Sequence, residues 1–150
     1  MRTDKIQFYM DLAFHVGKQG TCPRASVGAV IVRDDRVVSL GYNGAPRHTP
    51  HCKDAGCWIQ QRGERVSCIR AAHAEANAIV NAAYMGTTTK GGTMFTTHFP
   101  CIHCLKLIIN SGIVEIFYTK PYDDPESVKL LELAVAAHII TINQVEVATI

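Results

Sequence analysis

A chain of 150 residues, 47% hydrophobic and 19% charged, is the size of one compact domain that buries its own core, so two full domains are not expected. Fifteen Lys and Arg against thirteen Asp and Glu give a net charge of +2 without any block of like charges. That balance excludes the footprint of a general nucleic-acid binder and remains compatible with a small anionic substrate. No apolar run approaches the roughly 18 residues of a membrane span, and the opening Met-Arg-Thr-Asp-Lys-Ile-Gln lacks the apolar segment of an export signal, so a cytoplasmic protein with no membrane partner is expected. Six cysteines in that setting read as metal ligands or buried thiols rather than disulfides.

Residues 4–17 read as an amphipathic helix, with Ile6, Tyr9, Met10, Ala13 and Val16 at helical spacing and Asp4 with Gln7 in the pattern of a capping box. Val27–Val32 and Val37–Leu40 flank Arg33-Asp34-Asp35-Arg36 and suggest an antiparallel hairpin with a four-residue connection. From Asn43 to Arg70 no period is sustained, yet Cys52, Cys57, Cys68 and Trp58 fall within it. A structureless loop of that length needs a staple. A helix over about 72–84 ending at Gly86, a strand over 93–97 and a helix opened by Pro100 follow. Then come a strand over 114–119, a helix over 128–137 and a last strand over 138–147. This order predicts a central sheet with helices packed on its faces.

The chemistry concentrates in His73-Ala74-Glu75 at one helix start and Pro100-Cys101-Ile102-His103-Cys104 at another. Cys101 and Cys104, three apart, project from one face, and His73 completes a three-ligand zinc site with its fourth position open for water. Helix N-termini favour thiolate over thiol. Glu75 would sit beside the metal without binding it, placed for general acid/base work. His-x-Glu followed by Pro-Cys-x-x-Cys is the signature of zinc deaminases. The alternative is a closed structural site in which His103 or another Cys is the fourth ligand and Glu75 caps a helix.

On these two halves, and on Thr21-Cys22-Pro23-Arg24, Val27-Gly28-Ala29, Gly41-Tyr42-Asn43-Gly44, His51-Cys52, Gly56-Cys57, Cys68-Ile69-Arg70, the run from His73 to Ile79 and Thr97-His98-Phe99-Pro100-Cys101, the chain resembles the deoxycytidylate (dCMP) deaminases. The likeness covers nearly its whole length and is nearest to their bacterial competence-operon and phage branches. The resemblance implies a cytidine-deaminase-like three-layer α/β/α sandwich around a mixed five-stranded sheet, in one domain over residues 1–150. It also implies hydrolysis of dCMP to dUMP and ammonia, supplying thymidylate synthesis, in a hexamer activated by dCTP, with Mg2+, and inhibited by dTTP.

Carried over residue by residue, His73, Cys101 and Cys104 would bind the catalytic zinc, and Glu75 would shuttle protons to the cytosine ring and the departing amino group. Cys22, Cys52, Cys57 and Cys68 would hold a second, structural zinc that staples the stretch after Asn43. Unliganded buried thiols, or His51 in place of one Cys, are the alternatives. Asn43 matches a sugar contact, or is a turn residue tolerating positive φ before Gly44. Tyr122 matches a pocket aromatic, or is an exposed strand-end Tyr. Arg24 is a candidate for the 5′-phosphate, against the ordinary role of a solvated surface charge. His98 and Phe99 could wall the pocket. Asn81 and Tyr84 depart from the phage-type pattern at positions linked to nucleotide regulation. His15, His48 and His138 carry no spacing signal. Rival readings are another zinc deaminase, acting on free cytidine, a pteridine-like base or a tRNA adenosine, and a non-catalytic zinc module.

Overall fold

The computed structural model describes residues 1–148. Helix α1 (Lys5–Gly17) leads into strands β1 (Gly28–Arg33) and β2 (Arg36–Tyr42). The short helix α2 (Cys52–Ala55), strands β3 (Ile59–Arg62) and β4 (Arg65–Cys68) and helix α3 (Ala74–Met85) come next. Strand β5 (Thr93–His98), helix α4 (Ile102–Asn110), strand β6 (Glu115–Lys120), helix α5 (Pro125–Ala136) and strand β7 (Thr141–Gln144) complete the order.

Five strands form one sheet in the order β2-β1-β5-β6-β7. β1 runs antiparallel to both its neighbours, while β5, β6 and β7 are parallel. The mixed five-stranded sheet expected from the sequence is therefore present. The apolar run of β1 has no polar alternation because both of its faces are covered. Ala29 and Ile31 join Met94, Ile116 and the apolar sides of α3, α4 and α5 in one core cluster. Val30 and Val32 join Phe95, Phe117 and the α1 residues Tyr9, Met10, Ala13 and Val16 in the other. The three layers are thus α1, the sheet, and α3 with α4 and α5. Leu105 and Ile108 of α4 are fully buried, while Ile109 is only half-buried.

Several local expectations are corrected. The β1–β2 connection has two residues, not four, because Asp34 and Asp35 both take positive φ (51° and 56°), the backbone of a type I′ hairpin turn. Asp4 caps α1 through Oδ2, which accepts from the backbone N–H groups of Ile6 and Gln7 at 3.0 and 3.2 Å. Gln7 does not reciprocate, since its amide donates to Asp11 at 2.6 Å instead, so there is half a capping box. The last strand is only four residues, Thr141–Gln144, on the exposed edge of the sheet. The stretch from Asn43 to Arg70 contains a second antiparallel hairpin, β3–β4.

Close helix-to-sheet contact depends on Gly28. A Cβ there would run into the carbonyl of Ala13 and the amide of Gly17 on α1. Gly28→Ala is expected to cost about 1–3 kcal/mol, toward the upper end because the obstructing atoms are backbone. A chemical denaturation midpoint equal to that of the parent would contradict this packing.

Candidate active site

His73 is the N-cap of α3 and Cys101 the N-cap of α4, both with extended backbone, and Cys104 lies in the first turn of α4. The two helix N-termini meet at the C-terminal end of β5, which delivers the chain through Phe99 and Pro100 to Cys101. His73 Nδ1 lies 3.4 Å from each sulfur. Zinc bonded tetrahedrally to sulfur at ~2.3 Å and to nitrogen at ~2.0–2.1 Å sets N···S separations near ~3.6 Å, so the trio fits that ion. His103 is exposed on the far side of the turn and lies outside the cluster of potential ligands, which disfavours the closed-site alternative.

Electrostatics within the trio also suit a metal. Hydrogen bonding from Cys104, followed by the opposing effect of burial and then help from His73, leaves the Cys101 thiol depressed to about 4. Cys104 is driven the other way by Cys101 and by burial. Cys101, more than the burial that opposes it, raises His73. One thiolate is thus available at neutral pH, and a cation would displace the remaining protons. Glu75, in the first turn of α3, is 4% exposed. Burial lifts its carboxyl above the usual carboxylate range, with a backbone hydrogen bond and then His73 opposing.

The second cysteine cluster forms as the resemblance implies. The sulfurs of Cys22, Cys52, Cys57 and Cys68 lie within 4.8 Å of one another, with Cys22 to Cys57 at 3.8 Å and Cys52 to Cys68 at 3.5 Å. A four-thiolate zinc tetrahedron calls for sulfur separations near ~3.8 Å. The group gathers the loop before β1, α2 and both ends of the β3–β4 region around one point. Burial is the largest influence on Cys68, yet the backbone N–H groups of Ala71, Arg70 and Trp58 outweigh it and bring that thiol down to about 6. Burial, then Cys68 and Cys22, push Cys52 up to about 12. His51 is no member of the cluster; its Nδ1 pairs with the Thr21 hydroxyl at 2.9 Å.

A cavity of about 280 Å³ opens on His73 and Cys101 of this trio. Glu75, His73, Cys101, Arg24, Asn43 and Tyr122 all line it, so the structure brings these sequence-derived candidates to one place. Arg24 is exposed and, among the described residues, reaches only the Val66 carbonyl, at 3.4 Å, which leaves guanidinium donors uncommitted. Tyr122 is 44% exposed. Asn43 does not adopt positive φ, which removes the turn explanation. Its Oδ1 accepts from Val27 N–H at 2.9 Å and its Nδ2 donates to the Ala25 carbonyl at 2.7 Å. Asn43 therefore shapes the 25–27 loop that walls the cavity, with one lone pair and one hydrogen to spare. His15, His48 and His138 are exposed and none joins a potential ligand group among the described residues.

Asp124 is the N-cap of α5, immediately before Pro125. It is 1% exposed and caps α5 through Ser127 N–H at 3.2 Å. Its other oxygen accepts from Ile102 N–H at 2.9 Å, beside Cys101, and meets Arg65 at the start of β4 at 3.5 Å. One carboxylate thereby ties together α4, α5 and the hairpin. Burial raises its pKa, but the Ile102 and Ser127 N–H groups and Arg65 more than offset this and hold it below the usual carboxylate range. A depressed carboxylate contributes stability that is fully present above its unfolded value of about 4 and is lost as pH falls through its lower folded value. Asp124→Asn is expected to cost about 1–3 kcal/mol at neutral pH and to flatten the acid limb of the stability profile. Chemical denaturation from pH 2 to 7 measures both; a profile parallel to the parent's would contradict the assignment.

The family model for the cytidine and deoxycytidylate deaminase zinc-binding region matches residues 3–120. ComE operon protein 2 of Bacillus subtilis is 40% identical over 141 residues, covering 93% of this chain and 70% of the relative. The deoxycytidylate deaminase of Saccharomyces cerevisiae is 34% identical over 137 residues, covering 89% of this chain and only 44% of the yeast protein. Among solved structures, the dCMP deaminase of cyanophage S-TIM5 in complex with dCMP and dUMP superimposes with a TM-score of 0.78 at 24% identity, covering 97% of this chain and 99% of the phage chain. At that identity the phage structure establishes the likeness of fold.

Proposed function

Because the chain belongs to the zinc-binding cytidine and deoxycytidylate deaminase family, we propose that it hydrolyses dCMP to dUMP and ammonia. The observation that carries this reading is the buried Glu75 carboxyl beside the His73, Cys101 and Cys104 trio, on a residue that lines one cavity together with Arg24. The relatives named deoxycytidylate deaminase support the substrate. In this reading the described residues act as one deaminase domain.

His73, Cys101 and Cys104 would hold the catalytic zinc, which when bound supplies a Lewis acid that makes water a competent nucleophile at neutral pH. Glu75 takes a proton from the attacking water as it adds to C4 of the cytosine ring and delivers that proton to N3. A second proton passes through the same carboxyl to the amino nitrogen, which leaves as ammonia while C4 becomes a carbonyl. Arg24 offers a planar pair of donors to the 5′-phosphate. Asn43 offers its remaining hydrogen or lone pair to the sugar, and Tyr122 covers the open side.

The second zinc, held by Cys22, Cys52, Cys57 and Cys68, is structural in this reading. It keeps Arg24 and the hairpin strand β4, both cavity walls, in place around the substrate. Activation by dCTP with Mg2+, inhibition by dTTP, hexamer assembly, a cytoplasmic location and supply of dUMP to thymidylate synthesis complete the proposal, on the family resemblance. Asn81 donates to the Leu40 carbonyl at 2.9 Å and accepts from Arg47 at 3.2 Å, and the Arg47 guanidinium lies 4.1 Å over the Tyr84 ring. Those two departures from the phage pattern are thus committed to internal contacts.

The experiment is ammonia release from dCMP, CMP, deoxycytidine, cytidine and dCTP by zinc-loaded protein, with and without added dCTP and Mg2+. Preference for dCMP over deoxycytidine supports the phosphate contact. Equal turnover of the two would remove Arg24 from the proposal, and turnover of none would remove dCMP.

A further inference from the structure

His98 ends β5 and lines the cavity, yet the mechanism above leaves it unused. Its Nδ1 lies 2.7 Å from the hydroxyl of Thr97. That hydroxyl is buried, on a residue only 1% exposed, and already accepts the Gly28 N–H at 3.2 Å. A threonine hydroxyl has one hydrogen to give. Among the described residues, the only acceptor within reach of it is His98 Nδ1. Were Nδ1 to carry a hydrogen and point it at Thr97, the buried hydroxyl proton would have no partner. Hydrogen-bond satisfaction therefore selects one arrangement: Gly28 N–H to Thr97 Oγ1, and Thr97 O–H to His98 Nδ1.

With Nδ1 fixed as an acceptor, the imidazole carries its own hydrogen on Nε2. We propose that His98 is a substrate-positioning residue whose Nε2–H donates to an acceptor oxygen of the bound nucleotide, and so discriminates against ligands that present a donor at that point. Burial, and after it the Lys120 ammonium across the β5–β6 pairing, holds the ring below the ordinary imidazole range, so the neutral donor form is the one present at neutral pH. A fixed, uncharged N–H suits a base carbonyl, a sugar oxygen or a phosphate oxygen equally. A site built around such a donor penalises an analogue that leaves it unpaired or opposes it with another N–H. The identity of the ligand rests on the deaminase reading; the tautomer does not.

Two measurements test it. In zinc-loaded, 15N-labelled protein, long-range histidine correlation spectra, assigned with the His98→Gln variant, should show hydrogen on Nε2 and none on Nδ1. In Thr97→Val, which deletes the only selecting group, the two tautomers should mix. In steady-state kinetics His98→Leu should raise KM for dCMP about 10-fold, the loss of one good hydrogen bond. His98→Gln, whose amide reaches the Nε2 position, should recover part of that loss, and zinc content should stay at the parent value in both variants. A loss confined to dCMP and absent with deoxycytidine places the acceptor on the phosphate, and an equal loss on both places it on the nucleoside. Hydrogen on Nδ1 in the parent, or an unchanged KM in His98→Leu, would overturn the proposal. If the parent protein fails to turn over dCMP, the deaminase reading falls while the spectrum still decides the Thr97–His98 arrangement.

Discussion

Glu75→Gln is expected to lower kcat for deamination by about 10²–10⁴-fold while leaving zinc content and thermal stability close to the parent. The amide has the shape of the carboxyl and can fill the same buried position in the first turn of α3, but it cannot accept and return a proton. Because Glu75 is 4% exposed, bulk water has poor access to take over its role. The parallel fate of kcat and kcat/KM is the informative readout, since a group used only for proton transfer contributes little to ground-state binding. Loss of zinc together with loss of rate would instead make Glu75 a ligand or a structural residue. Retained turnover would contradict the proton-transfer role altogether.

Cys52→Ala is expected to reduce zinc from two ions per chain to one and to release the β3–β4 hairpin from the body of the protein. Zinc bound by a closed thiolate set is folding free energy, worth about 10–16 kcal/mol in small zinc-dependent folds, and the segment from Cys52 to Cys68 has little else to hold it. Trp58, Ile59 and Val66 are exposed, and neither core cluster includes a residue from β3 or β4. The remaining anchors are a few polar contacts at its surface: Arg65 to Asp124 at 3.5 Å and to the Asp123 carbonyl at 3.4 Å, Arg24 to the Val66 carbonyl at 3.4 Å, and Arg70 to the Gly56 carbonyl at 3.0 Å. The sheet core should survive, so the variant should remain folded, with rapid proteolysis confined to residues 51–70 and much reduced turnover. Metal analysis, limited proteolysis and amide exchange give three independent readings. Two zinc ions per chain and a parent-like digestion pattern in the variant would contradict a stapling role.

Why the hairpin escaped sequence reasoning follows from the same facts. Ile-Gln-Gln-Arg and Arg-Val-Ser-Cys carry no buried face, because the segment is organised by sulfur atoms rather than by a hydrophobic period. The need for a staple was nevertheless legible in the length of the irregular stretch and its cysteines. The sheet was read correctly where packing dictates composition. β1 is apolar on both faces because α1 and α3 cover it from opposite sides, and Pro100 and Gly86 bound helices as their backbone preferences require. The edge strand β7 was overextended because exposed edges are under weak compositional constraint.

At the site, the grouping of His73 with Cys101 and Cys104, and of Cys22 with Cys52, Cys57 and Cys68, was legible because metal-binding residue types recur there at particular spacing. What Asp124 and Asn43 hold together was not, since each acts through hydrogen bonds to distant chain segments: Ile102 lies 22 residues from Asp124, and Val27 lies 16 from Asn43. A buried Asp before a Pro at a helix start signals a cap, but no local pattern says which second helix it also caps.

The most direct test of the account is the conversion of dCMP by zinc-loaded protein, followed by the change in pyrimidine absorbance and by ammonia in the same reaction. The account predicts one dUMP and one ammonia per dCMP consumed, with turnover abolished by chelation and restored by zinc. Protein that holds its zinc and leaves dCMP unchanged, with or without added dCTP and Mg2+, would contradict it.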